Sequence, residues 1–225
     1  MSSSSTTSIP GSDAEGVDLT GPPSLPPSES PPEPLLKAAL RILSRRFRSE
    51  REMRDRLLKK GFSPRDIGSC IRWLKERRLL DDRAFALSFT RDRLRFSPRS
   101  PFLVRRELCN KGVEPAVAQE AVDAVLEEEG FDAEWLASQT AAGWVRRQSR
   151  PVLEDLLGVR FSPRRERARE RLYRFMARRG FVGEAARQGL EVGVSEARSR
   201  LDDLREREES LREGEGEDGV PPKTP

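Results

Sequence analysis

Two rows of basic side chains are the part of this sequence best suited to bind a ligand. Each row has the spacing of one helix face, three or four residues from one member to the next. The first comprises Lys37, Arg41, Arg45 and Arg48, with Arg46 beside it, and the second comprises Arg167, Arg171, Arg174 and Arg178. No acidic residue falls on the first row, and the acids near the second, Glu166 and Glu170, form a separate row. Unpaired guanidinium groups repel one another and bind phosphate or carboxylate groups well, so both rows predict contact with a polyanion or an acidic partner. A solvated surface is the alternative.

Residues for catalysis are missing from the same sequence. The chain contains no histidine, which excludes Ser-His-Asp, Cys-His and histidine–metal chemistry. Its two cysteines, Cys70 and Cys109, match no metal or redox spacing and are predicted to be buried thiols. Asp81 and Asp82 are predicted to cap a helix and not to bind a metal. Carboxylate chemistry remains open in principle, but no pair of Asp or Glu stands out from the general charge, so the sequence offers no catalytic candidate and no metal site.

Charge is distributed unevenly along the chain. Residues 1–34 hold five acidic residues and no basic one, and residues 201–225 hold nine acidic and four basic ones. The middle of the chain therefore carries a net charge of +14, against +4 for the whole chain. A core this basic favours a nucleic acid, or an assembly that contains one, as partner. The acidic ends, whose sign would let them shield the core, are predicted to be disordered.

A repeated glycine organises the middle of the chain. The sequence reads KKGF at 59–62, NKGV at 110–113 and RRGF at 178–181. Apolar residues recur at matching distances before and after Gly61, Gly112 and Gly180, with the spacing of amphipathic helices. Each glycine is predicted to end a helix in the left-handed conformation. Serines before the helices, Ser49, Ser63, Ser100 and Ser162, are predicted N-caps.

The predicted fold is all-α, with three tandem three-helix repeats in an elongated, curved array and disordered tails. Residues 35–80, 81–130 and 131–192 are the predicted repeats, giving nine helices. The third repeat carries an insertion near 149–165, predicted as a loop with one helical turn. Residues 1–34 and 193–225 are the predicted tails, the latter charged, acidic and largely disordered.

The same periodicity predicts which side chains of the helices are buried and which are exposed. Leu36, Leu40, Leu43 and Phe47 are predicted to form the buried face of the first helix. The charges on the second helix, including Glu52, Arg56 and Lys60, are predicted to be a solvated ladder of ion pairs. Six aromatic residues are assigned to the core, with base stacking as the alternative: Phe47, Phe62, Trp73, Phe96, Trp135 and Trp144.

Several stretches together resemble the RecX family of regulators of the RecA recombinase. They are LRILSRRFRSEREMRDRLLKKGF, IRWLKERRLLDDRAFALSF, SPFLVRRELCNKGV and RERLYRFMARRGF, within residues 35–192. The most specific parts are Arg48-Ser49-x-x-Glu52, Leu80-Asp81-Asp82-x-x-Phe85-Ala86 and Glu107-Leu108-x-x-Lys111-Gly112. Ser100 departs from the glycine usual in the family. The acidic tails and the insertion look specific to this chain.

The resemblance implies a binding protein that is not an enzyme and uses no cofactor. Members of the family lie in the groove of the RecA filament on single-stranded DNA, block its growth and damp recombination and the SOS response. RecA and single-stranded DNA, the latter directly or through RecA, are thus the expected partners, with the two basic rows as contacts. The sequence shows no signal peptide and no long apolar run, so we expect a cytoplasmic monomer without a membrane partner.

Two other functions remain open at this point. One is a helix-turn-helix protein that binds duplex DNA, with Arg65, Ser69 and Arg72 facing outward. The matching positions of the later repeats, such as Glu114 and Glu184, are poor readers of a DNA groove. The other is a helical-repeat scaffold that binds proteins alone.

Overall fold

The computed structural model describes residues 30–217, and every regular element in that range is an α-helix. The predicted all-α class is confirmed. The described residues form ten helices, where nine were predicted, in the order α1 (Glu33–Leu43), α2 (Glu50–Leu58), α3 (Pro64–Glu76), α4 (Asp82–Phe96), α5 (Pro101–Asn110), α6 (Pro115–Glu129), α7 (Ala133–Val145), α8 (Arg150–Leu157), α9 (Pro163–Arg178) and α10 (Gly183–Glu217).

Serine side chains fix the start of several helices. The hydroxyls of Ser49, Ser63 and Ser100 accept hydrogen bonds from main-chain N–H groups three residues later, at 3.1 to 3.2 Å. These bonds satisfy donors that the first helical turn leaves unpaired, and they confirm three predicted N-caps. Ser162 precedes α9 as predicted, but its side chain makes no capping hydrogen bond.

The three repeated glycines end helices as predicted. Gly61, Gly112 and Gly180 have φ values of 86°, 89° and 84°, in the left-handed region. A side chain with a Cβ atom is strained there, so glycine is the favoured residue at each turn. The N–H of the following residue returns to a carbonyl of the last helical turn, as from Phe62 to Leu57 at 3.3 Å.

Two separate apolar clusters lie inside the molecule. Helices α1–α3 enclose one of them, built around Leu35, Met53, Leu57 and Leu74. Helices α4–α10 share the other, which runs from Phe85 to Leu201. The first three helices therefore have a core of their own, whereas the rest of the described chain has a common one.

Successive helix groups meet at a similar contact, which we call a joint. In the first joint, the Ser49 hydroxyl donates to the carbonyl of Lys111 at 2.6 Å, and Gly112 lies so close to Arg51 that a Cβ atom there would overlap it. In the second joint, the N–H of Ser100 donates to the carbonyl of Arg179 at 2.9 Å, and Gly180 lies against Ser100 and Leu103. The glycine turn of one group thus packs on the start of the middle helix of the group before it.

Asp81 and Asp82 each cap a different helix. The Asp81 carboxylate accepts hydrogen bonds from the N–H groups of Arg83 and Ala84 and caps α4, as predicted. The Asp82 carboxylate instead accepts from the N–H of Glu50 at 2.8 Å, so it caps α2 across the first joint. The prediction that both residues cap α4 was wrong for Asp82, because the start of α2 lies within its reach.

The third helix group departs from the predicted three-helix unit. The insertion near 149–165 contains the two-turn helix α8, with Leu153 and Leu156 fully buried, where one helical turn was predicted. A largely disordered segment was predicted from residue 193, and this was wrong for residues 193–217, which continue α10. Ala197 and Leu201 of that segment are buried, because an apolar stripe continues through its charged sequence.

Small residues let α10 approach its neighbours. A Cβ atom at Gly189 would lie 2.8 Å from the Met176 sulfur and 3.0 Å from the Ala137 carbonyl oxygen. At Gly193 it would lie 2.7 Å from a methyl group of Leu172. A side chain at either position would force neighbouring groups to shift, so the two glycines favour the close packing of α10 on α7 and α9. The predicted disorder of residues 1–29 and 218–225 concerns positions outside the described residues.

Candidate nucleic-acid interface

Helix α1 presents most of the first basic row to solvent. Its buried stripe consists of Leu35, Ala39 and Ile42. The predicted apolar face was wrong for Leu40, which is 41% exposed, and for Phe47, which lies beyond the end of the helix and is 59% exposed, whereas Leu36 and Leu43 are partly buried against the first cluster. The helix is rotated by about one position relative to the prediction, and Lys37, Arg41 and Arg45 are exposed.

These residues form one wall of a cleft between α1 and α2. The cleft has a volume of about 470 Å³, and its other wall comes from the second helix. We call it the basic cleft; six of its eight lining residues are cations, the other two are apolar, and the full lining is Lys37, Ala38, Arg41, Ile42, Arg45, Arg48, Arg56 and Lys60. A concave surface lined by cations and by no acid concentrates positive potential, which attracts phosphate groups.

Arg56 and Lys60 are functional candidates that the sequence analysis assigned to a solvated ladder. Their expected partner, Glu52, pairs with other residues, as shown below, and both cations are exposed in the cleft. In the sequence, their spacing of four residues beside the buried Met53 and Leu57 was the pattern that could have identified them as one exposed face of α2. It did not reveal that α1 would bring a second row of cations against them.

Arg46 and Arg48 have a different environment from the rest of the first row. Both approach the Glu52 carboxylate, at 3.0 Å and 3.5 Å, and Lys111 of the next helix group approaches it at 2.7 Å. Arg48 is only 7% exposed. The expectation that this row lacks an acidic partner was therefore wrong for these two arginines, which stabilise the first joint.

The charged side chains at this joint shift one another's pKa values. Burial lowers the pKa of Arg48, and the neighbouring guanidinium of Arg46 lowers it further. Burial by itself would raise the pKa of Glu52, but the hydrogen bond from Lys111 and the nearby arginines outweigh it, so the pKa of Glu52 lies below its ordinary value. Glu52 thus carries a negative charge that three cations share.

Lys37 also has an acidic neighbour. Its ammonium group lies 2.6 Å from the Glu33 carboxylate, one turn earlier on α1, with both side chains more than three-quarters exposed. Glu33 was assigned to the disordered tail, which is why the pair was not predicted. Such an exposed pair contributes little to stability and is readily exchanged for a stronger anion. Arg41 and Arg45 make no ion pair with any described residue.

The second basic row lies on α9 and is fully accessible. Arg167, Arg171, Arg174 and Arg178 are all exposed. Arg174 pairs with Glu170 at 2.5 Å, so the acids do not form a wholly separate row as predicted. The other three make no ion pair within the described part of the chain. The two rows lie on different helix groups, α1 on the first and α9 on the third.

A protein that reads duplex DNA would need similar exposed side chains on α3 and on α6, and these two helices differ. Arg65, Ser69 and Arg72 are exposed on α3, as that alternative requires. On α6, however, Gln119 donates a hydrogen bond to the Asp123 carboxylate at 2.5 Å. Acidic and self-paired side chains at the matching positions repel phosphate groups and leave few donors for base edges, which counts against a duplex-DNA reader.

Aromatic residues divide between core and surface. Trp144 is 8% exposed, and Phe62 and Trp73 pack on the first cluster, so the core assignment is correct for these three. It was wrong for Phe47, Phe96 and Trp135, which are 59%, 82% and 40% exposed. Helical spacing did not distinguish them, because Phe47 and Phe96 lie at helix ends, where a side chain can leave the core.

A metal site, a disulfide and a membrane-spanning helix are the other features that could point to a function. Residues 30–217 contain no group of three side chains placed to hold a metal ion. Cys70 is buried, which raises the pKa of its thiol, and Cys109 is partly buried; neither forms a disulfide. No helix in this range is both long and apolar enough to span a bilayer.

Comparison with known proteins shows which family the chain belongs to. The sequence matches the RecX first three-helix domain over residues 36–74 and the RecX second three-helix domain over residues 81–122. The regulatory protein RecX of Halorhodospira halophila is 33% identical over 156 residues, which cover 69% of this chain and 85% of that protein. The chain belongs to the RecX family. The resemblance predicted from the sequence is confirmed.

Further RecX proteins extend the match. The regulatory protein RecX of Chlorobaculum tepidum is 30% identical over 169 residues, which cover 75% of this chain and 94% of that protein. The crystal structure of RecX from Lactobacillus salivarius superposes with a TM-score of 0.54 at 16% identity, covering 71% of this chain and 94% of that chain. This likeness shows the shared fold. Within this RecX-family chain, the basic cleft falls in the first matched domain, and the second basic row lies beyond both.

Proposed function

We propose that this RecX-family protein regulates homologous recombination and DNA repair by binding the RecA filament on single-stranded DNA. In this proposal it mostly inhibits ATP hydrolysis and strand exchange by RecA. It acts as a cytoplasmic monomer, without a cofactor and without catalysis of its own. The first and second basic rows contact the filament, either its DNA or RecA itself.

The basic cleft is the observation that supports this function best. Six cations converge on it and no acidic residue lines it. Lys37 and Arg48 pair with Glu33 and Glu52, which lie outside the lining, but the other four cations make no ion pair with any described residue. A phosphate backbone or an acidic protein surface would pair with these cations, and a filament of RecA on DNA offers both. Membership of the RecX family supports a regulatory role, and the resemblance to that family is the reason for proposing RecA as the partner.

The test is the rate of RecA ATP hydrolysis on single-stranded DNA as this protein is added at a small fraction of the RecA concentration. We expect a progressive fall in the rate. The triple variant Lys37→Glu, Arg41→Glu, Arg45→Glu should need at least about ten times more protein for the same fall, because it places acids against the anionic partner. Arg48 and Arg46 are left intact because their pairs with Glu52 hold the first joint.

A matched control carries the same change of charge elsewhere. Arg198, Arg207 and Arg212 are exposed on α10, outside both basic rows, and their replacement by Glu should leave inhibition nearly unchanged. Equal loss in both triple variants would mean that net charge alone matters. No effect of the native protein on RecA, with binding to duplex DNA at a preferred site, would instead favour the helix-turn-helix alternative.

A further inference from the structure

A second cleft lies at the start of α9, in the part of the chain that neither matched domain covers. It is an open hollow of about 700 Å³ between the turn that precedes α9, the first half of that helix and one residue of α10. We call it the aromatic cleft; it is lined by Arg160, Phe161, Arg165, Glu166, Arg169, Glu170, Tyr173 and Leu190.

Phe161 is held in this cleft in an unusual way. Its side chain is 78% exposed, and its φ of 67° lies in the left-handed region. That conformation is unfavourable for a residue with a side chain, and an exposed ring gains little from packing to offset it. Strained residues of this kind cluster at binding sites. Tyr173, 44% exposed, offers a second aromatic face in the same cleft.

Cations surround the two rings. The Arg160 guanidinium lies 5.1 Å from the centre of the Phe161 ring. Arg165 and Arg169 lie in the same lining, and neither makes an ion pair with any described residue. Burial lowers the pKa of Arg169, and the charge of Arg165 lowers it further, while the nearby carboxylates of Glu166 and Glu191 offset this only in part. One of the two acids present, Glu170, is engaged by Arg174.

We propose that the aromatic cleft binds an unpaired base of single-stranded nucleic acid, stacked on Phe161 and Tyr173, with the neighbouring phosphates on Arg165 and Arg169. Exposed aromatic faces beside arginines are the combination by which proteins hold single strands without reading sequence. An acidic peptide would use the arginines but would leave both rings in water. This inference rests on the proposed function for its ligand class and names the chemistry of the contact.

The experiment measures binding of the full-length protein, without RecA, to a short oligothymidine and to the same strand with abasic sites in place of the bases. Phe161→Gly is the decisive variant, because glycine favours the left-handed conformation and should fold at least as well as the native protein. We expect Phe161→Gly and Tyr173→Leu each to weaken oligothymidine binding by about 5- to 100-fold. Binding to the abasic strand should change little.

The control is Phe102→Ala, which removes a phenylalanine that is 62% exposed on α5, outside the aromatic cleft. It should bind both strands like the native protein. Equal binding of the two strands by the native protein, or unchanged binding by Phe161→Gly, would overturn the inference. Competition by polyglutamate together with equal binding of the two strands would assign the cleft to an acidic peptide.

This assay separates the inference from the proposed function. If the native protein lowers RecA ATP hydrolysis while Phe161→Gly binds oligothymidine normally, the cleft assignment fails and the function stands. If the native protein has no effect on RecA but loses base-dependent binding on replacement of Phe161, the function fails and the cleft assignment stands.

Discussion

The hydroxyl of Ser49 donates a hydrogen bond to the main-chain carbonyl oxygen of Lys111 at 2.6 Å, across 62 positions of sequence. The same hydroxyl accepts a bond from the N–H of Glu52 and so begins α2. One side chain therefore both starts a helix and holds the next helix group. The corresponding serine of the second group, Ser100, contacts Arg179 through its main-chain N–H.

Replacement of Ser49 by alanine should remove the cap and the contact together. We expect the free energy of unfolding to fall by about 1–2 kcal/mol, the upper part of the range for an N-cap, because the Lys111 carbonyl also loses its donor. Urea denaturation measures the change. Ser162→Ala is the matched control: Ser162 precedes α9 in the same position but makes no capping bond, so the loss should be small. Equal losses would contradict the double role of Ser49.

Gly112→Ala tests the close contact of the first joint. Both Gly112 and Gly61 have left-handed φ values, so alanine should cost about 1–2 kcal/mol at either position. Only at Gly112 does the new methyl group overlap Arg51; nothing lies within 4 Å of a Cβ atom at Gly61. The loss at Gly112 should exceed the loss at Gly61 by roughly 1–3 kcal/mol. Thermal unfolding of the two variants compares them, and losses of the same size would mean that the joint tolerates a side chain.

Glu52→Gln should destabilise the protein in a pH-dependent way. Because the pKa of Glu52 is lowered in the folded state, its stabilising effect is present above its ordinary value of 4.5 and is lost as the pH falls through the lower, folded value. We expect the variant to lose roughly 1.5–3 kcal/mol at neutral pH, since Arg48 then lacks its anion. The difference from the native protein should shrink in acid. A difference that stays constant as urea titrations move from neutral to acid pH would show that the charge of Glu52 is not its contribution.

Deletion of an acidic chain end tests whether it shields the basic core from nucleic acid. Removal of residues 1–34 and 201–225 was the natural choice from charge alone, but Leu201 is buried and Glu208 pairs with Arg150. The appropriate deletion is residues 1–29, which hold four acidic residues and no basic one and whose removal leaves α1 complete. Residues 218–225 hold one acid and one base, so their removal would not change the net charge. We expect the shortened protein to bind single-stranded DNA several-fold more tightly at low salt, with the difference vanishing at high salt. Unchanged affinity at low salt would rule out shielding.

Local patterns in the sequence predicted the local structure well. Gly61, Gly112 and Gly180 were predicted to end helices, and the caps at Ser49, Ser63 and Ser100 were predicted too, because each depends on a few neighbouring residues. The continuation of α10 was missed because its buried residues, Ala197 and Leu201, are separated by charges. Their burial depends on α7 and α8, which are distant in sequence.

The candidate site was predictable in kind but not in arrangement. The spacing of Arg41 and Arg45 was enough to predict an exposed basic face. It did not show that Arg56 and Lys60 would face them, nor that Arg48 would be buried beside Glu52, because both facts depend on how α1 packs on α2 and on the second helix group. The ring of Phe161 carried no periodic signal at all, since it lies in a turn.

The separate core of α1–α3 has a consequence for how that group is attached. Helices α4–α10 share one apolar cluster, whereas the first group is attached largely through polar contacts such as Ser49 with Lys111, Glu50 with Asp82 and Glu52 with Lys111. Salt screens the ion pair of Glu52 with Lys111, and protonation in acid weakens both this pair and the Asp82 cap, whereas neither affects apolar packing as much. The attachment of the first helix group, which carries the basic cleft, is therefore expected to respond to ionic strength and pH more strongly than the packing within α4–α10 does.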